Sequence, residues 1–159
     1  MAKTSAGLIL YRMQHDKLEV LLVHPGGPFW RSKDEGAWFI AKGELDAGEE
    51  PLAGAKREFE EETGLKPEGE FLALGSVKQK SGKTIYAWAF EGDCDPSALK
   101  SNTFTIEWPP KSGRQGEFPE IDQAGFFSVA QAKVKMHPAE FPLVLRLQEL
   151  LRSSERSDS

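Results

Sequence analysis

Apolar residues recur at two different spacings along this chain, and the switches between them mark its elements. Residues 6–11 and 18–23 are short apolar runs joined by the polar stretch Gln14-His15-Asp16-Lys17, which predicts two strands and a turn. His24-Pro25-Gly26-Gly27-Pro28 breaks the pattern. Residues 29–36 are polar and aromatic and read as a loop, followed by a short strand at 37–40. Over 51–63 the period changes: Leu52, Ala55 and Phe59 fall on one helical stripe, Pro51 suits the first turn, and Gly64 and then Pro67 end the helix. Residues 71–78 and 84–90 read as strands around the glycine-containing connection 79–83. A further strand is expected at 103–108, a loop at 109–119, and a return to the core at 125–127. Leu143, Val144, Leu145, Leu147, Leu150 and Leu151 predict a terminal helix over 142–151. Strands and helices mix without a regular repeat, which argues for an α+β fold. One domain is expected over 1–152. Residues 153–159 contain no apolar side chain and are expected to form a disordered polar tail.

Composition narrows the function classes. Aspartate and glutamate outnumber lysine and arginine 25 to 20, a formal net charge of −5. That balance disfavours a generic nucleic-acid binder, which is normally basic. No apolar run approaches the roughly 20 residues that span a bilayer. The run at 7–11 is too short for a secretory leader, so none is expected. A single cysteine, Cys94, excludes an internal disulfide and a multi-cysteine metal site. A cytoplasmic protein, monomeric or homodimeric and without membrane contact, fits these features.

The segment 43–65 carries the chemistry. A helix turns about 100° per residue, so Glu58, Glu61 and Glu62, at i, i+3 and i+4, share one face. Phe59 lies on the buried side and Glu60 points elsewhere. Three like charges on one face repel, and a divalent cation relieves that repulsion. All-oxygen ligation suits a hard ion such as Mg²⁺ or Mn²⁺, which in turn binds phosphate oxygens.

These residues sit in a wider register: Gly43, five residues, Glu49, seven residues, then Arg57-Glu58-Phe59-Glu60-Glu61-Glu62-Thr63-Gly64-Leu65. The segment resembles the Nudix box of the Nudix hydrolases, with every box position filled. The resemblance implies the Nudix fold, a mixed β-sheet sandwiched between α-helices. It also implies hydrolysis of a pyrophosphate bond in a nucleoside diphosphate linked to another moiety, with two or three Mg²⁺ or Mn²⁺ ions. By position, Glu58, Glu61 and Glu62 would be metal ligands, and Gly43 would bring its backbone close to a metal. Arg57 would hold Glu49 and brace the loop and helix. Many relatives have Trp-x-x-Pro-Lys-Gly before the box. Here the run is Trp38-Phe39-Ile40-Ala41-Lys42-Gly43, with alanine in place of proline.

Outside the box, the resemblance implies another acid on a late loop, as metal ligand or general base. Glu117 and Glu120 are the candidates, and a spacing of six residues before Phe126 favours Glu120. Glu58 and Glu120 both stay open as the base. Lys42, Lys78, Lys80, Lys83, Lys111 and Arg114 are candidates for phosphate oxygens. The substrate-binding set is Lys42, Lys80 and Lys83, with Trp30 and Trp108 as base-stacking candidates. Trp38 and Trp88 are read as core. His15, His24 and His137 show no ligand spacing, and Cys94 has no base nearby in sequence. The expected substrate is a nucleotide-type small molecule, with a dinucleoside polyphosphate first and a nucleotide sugar or ADP-ribose next. The rival reading is a Nudix domain that binds a nucleotide without cleaving it.

Overall fold

The computed structural model describes residues 3–157. A sheet of six strands forms its centre, in the order β4-β5-β1-β2-β8, with β3 also pairing to β1. The strands are β1 (Thr4–Gln14), β2 (Lys17–Pro25), β3 (Ala41–Glu44), β4 (Leu72–Lys78), β5 (Thr84–Glu91) and β8 (Ile121–Ser128). β1 and β5 run parallel and the other pairs are antiparallel, so the sheet is mixed. The β1–β2 turn places His15 and Asp16 at φ 52° and 64°. Two positive φ values are what the commonest two-residue hairpin needs.

Alternation along the strands produces two cores. Ile9 and Tyr11 of β1, Val20 and Leu22 of β2, and Ile85, Ala87 and Ala89 of β5 face one side. There they meet α2 (Val129–Lys135) and α3 (Phe141–Ser157) through Ala132, Leu143, Val144 and Leu147. Ala6, Leu8, Leu10 and Phe90 face the opposite side and pack on Ala55 and Phe59 of α1 (Pro51–Thr63). The sheet is therefore sandwiched between helices, as the α+β reading expects. Trp38 belongs to the first core and Trp88 packs against the second.

α1 is shaped by its ends. Glu50 accepts a hydrogen bond from the Ala53 N–H, Pro51 opens the helix, and Gly64 closes it at φ 77° with its N–H on the Glu60 carbonyl. Phe59 is 1% exposed. Its stripe fixes the rotation of α1 and so decides which acids face the sheet end.

Four expectations need correction. Residues 37–40 form no strand; Trp38 and Phe39 make isolated bridges to Met136 and Val23, and the strand begins at Ala41. The loop at 109–119 contains β7 (Gln115–Pro119), which pairs with β6 (Thr103–Glu107) as a separate hairpin. α2 was not expected; a capping box between Ser128 and Gln131 starts it. α3 runs on to Ser157, through most of the stretch 153–159 expected to lack structure, because elongating a formed helix needs no new nucleus. Residues 158–159 of that stretch lie outside the described residues. Among the described residues no helix is long and apolar enough to cross a membrane.

Candidate active site

β3, the turn after it and α1 close into a tight unit because two glycines leave room for side chains. A Cβ on Gly43 would lie 2.0 Å from the Glu58 Oε2, and one on Gly54 would lie 2.2 Å from the Leu45 Cδ2. With the Glu58 carboxylate in this position, a bare backbone leaves it room against β3.

Arg57 braces this unit. Its Nε and Nη2 donate to the two oxygens of Glu49, both at 2.9 Å, and the Asp46 N–H adds a third bond to Glu49 at 3.0 Å. The Arg57 fork and that N–H hold the Glu49 carboxyl at about 2. Nη1 of Arg57 also bridges Glu58 at 2.8 Å and Glu61 at 3.2 Å.

Glu58 and Glu62 sit in environments that disfavour their charge. Burial pushes Glu58 up, against the pull of Arg57, and Glu61 and Glu120 add repulsion. Burial pushes Glu62 up to about 8. The Lys42 charge and the Lys42 N–H, 3.0 Å from Glu62 Oε2, oppose that rise, while Glu58 and Glu120 reinforce it. Glu60 is exposed on another face. Glu58 and Glu62, partly desolvated and repelled by neighbouring acids, are donors that suit a hard divalent cation. Among the described residues no three acids, imidazoles or thiols already converge as a metal site. Arg57 bridges two of the acids, Glu58 through Oε1 and Glu61.

Beside Glu62 opens a cleft of about 300 Å³. Its lining includes the acids Glu62 and Glu120, the lysines Lys42 and Lys83, and Gln79, with Trp30 and Phe39 as aromatic wall. Burial and then the Lys42 charge lower the Lys83 pKa. Size alone does not mark the site: a cavity of about 320 Å³ between the β1–β2 turn and α3 holds no residue of the 43–65 segment. A further cavity, about 280 Å³, shares Glu62 and Ile121 with the cleft and is lined by Ser97, Ser101 and Gln123.

The structure brings together Gly43, Arg57, Glu58, Glu61, Glu62, Glu120, Lys42, Lys83 and Trp30, the last five lining the cleft. Glu120 sits between β7 and β8, with its N–H on the Asn102 carbonyl and its own carbonyl accepting from Gly26. Glu117 lies exposed within β7, opposite Thr105. Lys80 stands exposed in the β4–β5 turn and does not line the cleft; Gln79 beside it does. Trp108 does not line the cleft either, and packs edge-on against Phe29 at 5.5 Å. Lys78, Lys111 and Arg114 are exposed and also lie outside the lining.

Three residues around the site were not anticipated from sequence. Phe39 joins Trp30 edge-on at 5.6 Å and stacks on His137 at 5.5 Å. His24 is 3% exposed, with Nε2 2.6 Å from the Lys33 carbonyl and Nδ1 2.8 Å from Asp122, so it ties the loop that carries Trp30 to β8. Glu140 is fully buried and paired to Lys42.

Comparison with known proteins gives the family and the fold. The NUDIX domain family matches residues 1–147. No curated protein sequence matches the chain. Similar folds include the Caenorhabditis elegans Ap4A hydrolase in a binary complex (20% identity, TM-score 0.65, covering 96% of this chain and 99% of that one). The NUDIX domain of Shewanella oneidensis NrtR, complexed with ADP ribose, aligns at 16% identity and TM-score 0.66, over 95% of this chain and 89% of that one. The Nudix hydrolase RenU of M. smegmatis aligns at 22% identity and TM-score 0.61, over 95% and 86%.

Proposed function

The chain belongs to the Nudix family and is built as one of its pyrophosphohydrolases; on that premise we propose that it hydrolyses a nucleoside diphosphate linked to a second moiety, with Mg²⁺ or Mn²⁺ as cofactor. The carrying observation is that one cleft lining holds both charges, Glu62 and Glu120 together with Lys42 and Lys83. Bare carboxylates repel a phosphate chain, while lysines attract it. A substrate that meets both needs cations beside the carboxylates. The proposed holders are Glu58, Glu61, Glu62 and Glu120, with the Gly43 backbone alongside. A bound divalent ion supplies charge neutralisation and a more acidic attacking water.

The residues of the chain do the rest. Lys42 and Lys83 orient the non-bridging oxygens. Trp30 and Phe39 offer faces for a nucleobase. Arg57 keeps Glu49 ionised and the loop closed against α1. Glu120 or Glu58 takes the proton from the attacking water.

The two cavities that share Glu62 favour a substrate with bulky groups on both sides of the cleaved bond. A dinucleoside polyphosphate such as diadenosine tetraphosphate is the first choice. The hydroxyl and amide lining of Ser97, Ser101 and Gln123 keeps ADP-ribose and nucleotide sugars as the second. A cytoplasmic location suits such substrates and the single cysteine. Product analysis with dinucleoside polyphosphates, nucleoside triphosphates and nucleotide sugars, each with Mg²⁺ and with Mn²⁺, tests the reading. Cleavage of two-moiety substrates supports it. Tight binding without any cleavage would establish the non-catalytic reading instead.

A further inference from the structure

We propose that Glu140 is a positioning residue for substrate binding: it holds the Lys42 ammonium in the orientation that meets phosphate. The inference rests on the pyrophosphohydrolase reading above.

A glutamate is almost never fully buried unless it is paired, and Glu140 is 0% exposed. Its Oε1 accepts the Ile40 N–H at 2.9 Å, and its Oε2 lies 2.8 Å from the Lys42 Nζ. Among the described residues no donor other than Lys42 reaches Oε2. One side chain therefore grips both neighbours of Ala41, just before Gly43.

The segment that carries Glu140 is itself anchored. The His137 N–H donates to the Trp38 carbonyl at 2.9 Å, the Phe39 ring stacks on His137, and the Glu140 N–H donates back to the His137 carbonyl at 3.0 Å. α3 follows at once and buries Leu143, Val144 and Leu147 completely. Glu140 is thus a fixed point, and Lys42 is the movable partner.

Lys42 is the hinge between that point and the acids. Its backbone N–H meets Glu62, its ammonium lies 4.6 Å from the centre of the Phe39 ring, and its side chain is 14% exposed on the cleft wall. Lys83 lines the same cleft with the same charge. Without Glu140 the two ammonium groups repel and Lys42 is free to change rotamer. Buried behind Lys42, Glu140 offsets part of the attraction for phosphate, but ordering the ammonium contributes more than that offset removes.

The test is a four-protein cycle: wild type, Glu140→Gln, Lys42→Met and the double variant, each titrated calorimetrically with inorganic pyrophosphate in Mg²⁺. Glutamine keeps an acceptor for the Ile40 N–H and removes only the charge. Lys42→Met is expected to weaken binding about tenfold or more, and Glu140→Gln about three- to tenfold. The double variant should bind no worse than Lys42→Met alone. Melting temperatures give a second reading: Lys42→Met strands a buried carboxylate and melts lowest, and adding Glu140→Gln recovers part of the loss. Reductive methylation of the full chain, read by mass spectrometry, should label Lys42 faster in Glu140→Gln than in wild type. Equal loss of affinity from Glu140→Gln in both backgrounds, or unchanged or tighter binding, overturns the proposal. So does unchanged labelling of Lys42. Wild-type protein that binds pyrophosphate yet cleaves nothing sinks the proposed activity alone, and the affinity cycle still decides the role of Glu140. Wild-type protein that does not bind pyrophosphate overturns both.

Discussion

Glu60 and Glu62 are the same residue type two positions apart, about 200° around α1. Glu60 meets water, while Glu62 is partly buried beside the cleft with its carboxyl pushed up to about 8. Glu62→Gln is expected to reduce kcat/KM about 10²-fold or more, the scale of losing one electrostatic contact at a reacting group. Glu60→Gln should stay within about twofold, and equal losses in steady-state assays would mean that the helix face is misassigned. Glu49 makes a different prediction, about stability. Its folded pKa of about 2 lies below the ordinary value of 4.5, so its ionised form favours the fold. That contribution is fully present above about pH 4.5 and is lost as the pH falls through about 2. Glu49→Gln should therefore melt lower than wild type at pH 7, with the gap closing in acid. Melting curves from pH 7 to pH 2 check this, and a constant gap would show that the Arg57 pairing is not its source. Glu140 adds a second lesson at this scale. Alanine at position 41, the first residue of β3, lacks a proline's fixed φ, and the buried carboxylate grips both neighbours of that alanine.

At the level of elements, the β6–β7 hairpin decides between two neighbouring acids. Strand pairing sets Glu117 opposite Thr105 and away from the cleft, while Glu120, just beyond the strand, lines it. The junction is held by backbone bonds from Gly26 and to Asn102. A Cβ on Gly26 would lie 2.1 Å from the Pro119 carbonyl oxygen, so this packing needs glycine there. If Glu120 acts on the attacking water, Glu120→Gln should lower kcat about 10²- to 10⁴-fold with little change in KM. Glu117→Gln should change neither. A collapse of kcat at 117 alone would show the hairpin register to be wrong for function, and intact kcat in both variants would pass the role of base to Glu58. Lys83→Ala, in contrast, should act chiefly on KM, because phosphate contact is made in ground and transition states alike.

For the whole molecule, the acidic face couples ligand binding to folding. Glu58 and Glu62 are both held in environments that disfavour their charged forms, so an ion bound there stabilises the folded protein. Saturation at about 100 times the dissociation constant corresponds to about 2.7 kcal/mol, or a melting-temperature rise of about 5–10 °C for a domain of this size. Mg²⁺ or Mn²⁺ should produce that rise, and excess chelator should reverse it and abolish turnover. Full turnover in chelator would remove the metal from the reading. How much of this was legible in the sequence follows from range. The register of Glu58, Glu61 and Glu62, the stripe through Phe59, the stop at Gly64 and the apolar runs of β1 and β2 are local patterns, so the sequence alone determined them. It also carried the complete box, and with it the family. Only the tertiary structure decided what distant segments do to one another. Glu140 lies 98 positions from Lys42 and reads locally as an acid before a helix; the packing of α3 makes it a buried partner. Gln79 rather than Lys80, and Phe39 beside Trp30, face the cleft because strand ends and turns meet there. A side chain's burial and partners depend on which segments pack together, and no local period encodes that.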